Sequence, residues 1–157
     1  MSESINSLEL LKRVDIFQDV PESVLQELLS TAETRGYEKG ELIFREGDAG
    51  GAMYLVVSGA VELTKAVKRE QEHRLAVLDR GQVFGELSLF DELPRSASAQ
   101  AFVKTTVLAF PGQTFNQLLD ARQLLAPQLL RNMVKKLSLR LRDADEEIRE
   151  LSRQTVQ

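Results

Sequence analysis

The sequence contains no cysteine and only one histidine, His73. The first absence removes disulfide frameworks, thiolate metal sites and cysteine nucleophiles. With a lone histidine added, a zinc centre and a histidine-based catalytic triad both lose their ligands and bases. His73 itself stands in the polar stretch KREQEHR (68–74), which reads as a solvated hairpin loop. No apolar run is long enough to span a bilayer. The opening MSESINSLELLKR lacks the basic-then-apolar order of a signal peptide, so the expected compartment is the cytoplasm, with no membrane contact. An excess of positive charge is missing too. A formal net charge of -4 argues against bulk attraction to nucleic acid.

What remains, over 157 residues, is 43% hydrophobic and 28% charged, the balance of one compact domain with room for an appendage. Residues 5–36 read as helical. Leu8, Leu11 and Val14 lie on one face, and Asp19-Val20-Pro21-Glu22 resembles a helix start with proline inside the first turn. Val24, Leu25, Leu28 and Leu29 then form an apolar face that Gly36 ends. From Tyr37 to Pro111 the period shortens to that of strands. LIFRE (42–46), MYLVVS (53–58), AVELTKAV (60–67), RLAVL (74–78), SAQAFV (98–103) and TVLAF (106–110) are short apolar or alternating runs. Glycine-marked turns separate several of them, which predicts a barrel or sandwich rather than parallel βαβ units. Thr114 is a suitable N-cap for a return to helix, and a long helix is predicted from Pro127 to about Gln154. The expected organisation is a β-roll with N-terminal helices over 1–126 and a C-terminal helix over 127–157.

The stretch FGELSLFDELPRSASAQA (84–101) carries the chemistry. Gly85 permits an unusual backbone angle where the chain enters a helical turn at Glu86–Phe90. The unpaired N–H groups of such a start suit an anion. Arg95 adds a planar fork able to pair two phosphate oxygens. A carboxylate beside that phosphate would repel it, so Glu86 should meet something neutral with donors, such as a ribose hydroxyl. Ser96-Ala97-Ser98-Ala99 are small enough to bring the backbone within bonding distance. One phosphate and one sugar make a nucleotide. A surface loop with Arg95 paired to Asp91 or Glu92 is the plainer alternative.

FGELSLFDELPRSASA resembles the phosphate-binding cassette of the cyclic nucleotide-binding domains, of the cAMP receptor protein and protein kinase A regulatory-subunit type. KGELIFREGDAGGAMYLVVSGAVEL is similar to that family's early strands, and LLKRVDIFQDVPESVLQELL to its N-terminal helices. The resemblance implies a mainly β fold, an eight-stranded β-roll with flanking helices. It implies that Glu86 binds the ribose 2′-hydroxyl and Arg95 the cyclic phosphate. Gly85, Leu87, Ser88, Ser96 and Ala97 would give backbone or small-side-chain contacts. Leu63, Leu75 and Leu78 would lie near the base, with Lys136 or Arg140 approaching it from the long helix. Ser96 falls where cGMP-selective members often carry a threonine, and Arg140 falls where a hydroxyl would be expected. The ligand implied is cAMP first and cGMP second, with no other cofactor.

Leu130, Val134, Leu137, Leu141, Ala144, Ile148, Leu151 and Thr155 are spaced alternately by four and three residues. Such a heptad seam, about three heptads long, predicts a parallel homodimer. Packing of the stripe on its own β-roll is the alternative. Arg140 at g and Asp145 at the following e suit a salt bridge between parallel chains. No catalytic constellation is found, so no enzymatic activity is expected. The first function is a cyclic nucleotide sensor acting on an unknown effector protein, and the second is the sensory part of a transcription regulator. A ligand-free dimerisation scaffold is a further alternative, and a phosphodiesterase is the third class, against which the missing metal ligands count. With Met1 at the start, and no helix-turn-helix before Gln157, the expectation is a stand-alone sensor that does not bind DNA.

Overall fold

The computed structural model describes residues 2–69, 71–122 and 124–155, with side chains from residue 7 onward. Glu70 of the KREQEHR stretch, Gln123, and Val156 and Gln157 at the end of the expected 127–157 segment lie outside the described residues. Two helices open the chain, α1 (Ser2–Lys12) and α2 (Glu22–Ser30), with a 3-10 turn at Asp15–Phe17 between them. Eight strands follow: β1 (Glu33–Tyr37), β2 (Leu42–Phe44), β3 (Ala52–Ser58), β4 (Ala60–Ala66), β5 (Glu72–Asp79), β6 (Val83–Phe84), β7 (Ser98–Ala101) and β8 (Thr105–Pro111). The single-turn helix α3 (Ser88–Asp91) interrupts them, and α4 (Gly112–Ala121) and α5 (Leu125–Thr155) close the chain.

The strands form two antiparallel four-stranded sheets, ordered β1-β8-β3-β6 and β2-β7-β4-β5. The alternation of side chains along β3 and β8 organises the core. Met53, Leu55 and Phe110 point outward under the helices, where they meet Leu11, Ile16, Phe17, Leu25, Leu28 and Phe115. Tyr54, Val56, Val107 and Ala109 point inward, between the sheets, against Val61, Phe84 and Ala99. A strand buried on both faces reads as the unbroken apolar run MYLVV.

Several elements differ from the sequence reading. Residues 33–36, expected to end the helical region, belong with Tyr37 to strand β1. It is polar, mostly exposed and at a sheet edge, pairing only with β8, so burial imposes no alternation on it. Pro21 is the N-cap of α2 rather than a residue of its first turn. α4 starts at Gly112, not after Thr114, because the Gly112 N–H is drawn to the Gly51 carbonyl at 2.7 Å. The last helix begins at Leu125, ahead of Pro127, where a proline in the first turn costs no hydrogen bond.

One face of α5 lies on the domain through Leu125, Leu129 and Met133. Beside them the buried Asn132 donates to the Ile16 and Gln18 carbonyls at 2.9 and 2.8 Å, which ties the helix to the 3-10 turn. The heptad stripe is a different face. Its large residues Leu130, Val134, Leu137, Leu141, Ile148 and Leu151 are 41–65% exposed, and Ala144 is exposed too. Within one chain the stripe therefore does not pack on the β-roll.

Candidate functional site

Strand β6 ends at Phe84, and the chain turns at Gly85 with φ +76°. A side chain there would be strained for a second reason. A Cβ would fall 2.6 Å from Arg95 Nη1 and 3.0 Å from the Ala52 carbonyl oxygen. Glu86 and Leu87 lead into α3, which ends in a left-handed Glu92 before Leu93 and Pro94 return the chain to Arg95. The backbone of Arg95 is clamped to the turn between β2 and β3: its N–H donates to the Asp48 carbonyl and its carbonyl accepts from the Gly47 N–H, both at 2.8 Å.

The side chain of Arg95 points into the protein and is only 7% exposed. Nη1 donates to Ser88 Oγ at 2.9 Å and to the Gly85 carbonyl at 3.2 Å, and Nη2 donates to the Ala52 carbonyl at 2.8 Å. The guanidinium lies over the Phe44 ring, 4.2 Å from its centroid, with Tyr54 at 5.7 Å. Nε is buried without a hydrogen-bond partner. Burial lowers the guanidinium's pKa from its ordinary value, against a raising influence from Tyr54, Asp48 and Glu86. Arginine nevertheless stays charged in proteins. All the side-chain acceptors are neutral oxygens, and Arg95 enters no salt bridge among the described residues. Asp91, the partner of the surface-loop alternative, accepts instead from the Leu93 N–H at 2.9 Å. A buried cation held by neutral groups is costly, and an anion brought to it would relieve that cost.

Glu86 is the complementary group, 3% exposed. Its Oε1 receives two cations from α5, Lys136 Nζ at 2.9 Å and Arg140 Nη2 at 3.0 Å. Lys136 is mostly buried, whereas Arg140 is half exposed at the rim.

These groups surround a cavity of about 270 Å³. Gly85, Glu86, Leu87, Ser88, Arg95, Ser96 and Ala97 all line it, opposite an apolar wall of Phe44, Leu63, Ala76 and Leu78, with Arg140 at the rim. Lys136 reaches it only through Glu86. Leu75 is a correction to the sequence reading. β4 and β5 pair Leu63 with Ala76 and then Thr64 with Arg74, so Leu75 is the extra residue of a bulge. It is 51% exposed, and Ala76 takes the wall position. The sequence reading also missed Phe44, Tyr54 and the Ala52 carbonyl. Phe44 was within reach as part of the LIFRE run, but nothing local marks which arginine a strand aromatic will cover. Among the described residues no cluster of His, Cys, Asp or Glu could hold a metal ion, and no helix is long and apolar enough to cross a membrane.

The cavity of this β-roll sets a buried arginine with neutral hydrogen-bond partners beside a buried carboxylate, groups whose chemistry suits a small anionic ligand. Residues 34–122 match the family model of the cyclic nucleotide-binding domain, and the chain belongs to that family. The cyclic AMP receptor protein of Thermus thermophilus is 39% identical over 142 residues, covering 90% of this chain and 64% of that protein. The crystal structure of the Thermus thermophilus catabolite activator protein superposes with a TM-score of 0.75 at 40% identity, covering 88% of this chain and 63% of that one. The N-terminal domain of a transcriptional regulator from Streptomyces coelicolor also gives a TM-score of 0.75, at 31% identity, covering 82% of this chain and 92% of that one. The chain thus spans 58–64% of the length of the first curated relatives it matches.

Proposed function

We propose that this chain is a cytoplasmic sensor of cyclic nucleotide, cAMP first and cGMP second, which signals by moving α5 and performs no catalysis. The observation that carries the reading is Arg95, a buried cation facing a cavity with neutral partners alone. A cyclic phosphodiester supplies one negative charge and two free oxygens to a planar fork. The hydroxyl of the ribose then meets Glu86, and the purine lies on Leu63, Ala76 and Leu78, with Ser96 and Arg140 at its edge. The Thermus relative named as a cyclic AMP receptor supports cAMP as the first ligand.

The coupling to α5 runs through Glu86. Both helix cations share Oε1, so the same carboxylate meets the ligand and the helix. A ligand shifts such a helix only to the extent that it binds one helix arrangement better than another. The exposed heptad stripe then gives the helix its output, a parallel pairing with a second copy and, beyond it, an effector protein. A second reading is favoured by the share of the relatives covered: the same unit is proposed as the sensory part of a longer transcription regulator.

Titration with cAMP and 2′-deoxy-cAMP tests the assignment of Glu86. The unaltered chain should prefer the ribose form by about tenfold, the value of one hydrogen bond to a charged acceptor. Glu86→Ala should remove most of that preference. An equal preference before and after substitution would show that the carboxylate does not meet the sugar.

A further inference from the structure

We propose that Gly50, which lies outside the nucleotide cavity, is a positioning residue of the phosphate site: its missing side chain fixes Ser88, and through Ser88 it fixes Arg95. The inference rests on the reading of that cavity as a nucleotide site. Ser88 has the nucleotide cavity on one side and, on the other, an open cleft of about 650 Å³ behind α3. Gly50 lines only the cleft. A Cβ on Gly50 would fall 2.4 Å from Ser88 Cβ, 3.0 Å from Ser88 Oγ and 3.4 Å from the Leu93 carbonyl oxygen. The obstacle is purely one of space, because Gly50 is not among the residues with a positive φ.

Which side would yield follows from what holds each. Ser88 Cβ belongs to the backbone frame of α3 and cannot be turned away by a rotamer change. The segment after Gly50 is anchored twice. The Gly51 carbonyl accepts from the Gly112 N–H at 2.7 Å, and the Ala52 carbonyl accepts from Arg95 Nη2 at 2.8 Å at the start of β3. The single turn of α3 is the weaker element, and it would move. Ser88 Oγ donates to the Gly85 carbonyl and accepts from Arg95 Nη1, both at 2.9 Å. Displacing α3 would pull away one of the supports that aim the guanidinium. A site of this kind loses affinity when its supporting contacts shift by a fraction of an ångström.

The test titrates cAMP by calorimetry into Gly50→Ala, Ser88→Ala, Ser88→Gly and the double variant Gly50→Ala with Ser88→Gly, well below their unfolding midpoints. Gly36→Ala, whose Cβ would meet nothing within 4 Å, is the control and should bind like the unaltered chain. Gly50→Ala should bind about tenfold more weakly or worse, and Ser88→Ala should lose affinity in the same direction. In the Ser88→Gly background Gly50→Ala should cost nothing further, because no Cβ remains for it to strike. Losses that add in the double variant, or a Gly50→Ala chain that binds normally, would overturn the proposal. A merely structural glycine would lower the unfolding midpoint and leave the affinity of the folded chain unchanged. If Gly50→Ala does not fold, normal binding by Ser88→Ala overturns the proposal equally. An unaltered chain that binds neither cAMP nor cGMP removes the nucleotide reading itself; a binding chain indifferent to Gly50→Ala removes only this inference.

Discussion

Arg95→Ala is expected to weaken cyclic nucleotide binding on the order of tenfold to a thousandfold, since each hydrogen bond to a charged group is worth roughly 1.5–3 kcal/mol. The unfolding midpoint of the ligand-free protein should hold or rise at the same time. The two effects have one cause. The guanidinium is buried among carbonyls, a hydroxyl and aromatic rings with no carboxylate partner among the described residues, and its Nε is unsatisfied. Its removal relieves a desolvated charge, although it leaves the Ala52 and Gly85 carbonyls to find other donors. Calorimetric titration with thermal unfolding on the same samples checks both. A substitution that costs stability and leaves binding intact would make Arg95 a structural residue and remove it from the site.

The second large effect concerns the stripe on α5. If the stripe pairs two copies as proposed, Leu137→Asp with Leu141→Asp should separate them. In the isolated chain both leucines are exposed, at 41% and 65%, so the fold of each copy should survive the change. Between two copies each aspartate would be buried against apolar neighbours without a partner. Lys136 and Arg140, on the same helix, hold the carboxylate that lines the cavity. If pairing of the helices and closure over the ligand are linked, the linkage is reciprocal. The separated chain should then bind cAMP more weakly by the factor with which cAMP strengthens the dimer. Sedimentation and calorimetry decide it. A monomer of unchanged affinity would separate pairing from sensing, and an unaltered chain that is monomeric at every concentration would remove the pairing altogether.

The parts of the fold that could be read from sequence are those where burial imposes a period. β3, β4 and β8 carry apolar runs because one or both faces are covered. The stripe on α5 is the exception, legible from its four- and three-residue steps although it is exposed within one chain. β1 could not be read: ETRGY is held at a sheet edge by backbone bonds to β8, and only Tyr37 of its residues packs toward the core. The cassette was legible as chemistry, since a Gly-Glu turn and a Pro-Arg return leave few uses for a carboxylate and an arginine so close in the chain. Its far wall was less so. The bulge that turns Leu75 out and brings Ala76 in depends on the pairing of β4 with β5, which no local pattern encodes. The same holds for Asn132, whose two bonds to carbonyls more than a hundred residues away dock α5. Lys136 and Arg140 were expected near the base. Their shared hold on Glu86 depends on how α5 docks on the domain through Leu129, Asn132 and Met133, which the heptad spacing does not specify.

The most direct measurement is calorimetric titration of the unaltered chain with cAMP and with cGMP, beside Arg95→Ala. Saturable binding of one nucleotide per chain, cAMP tighter than cGMP and both weakened by Arg95→Ala, is the predicted result. A folded chain that takes up neither nucleotide, or that binds them equally well without Arg95, would contradict it.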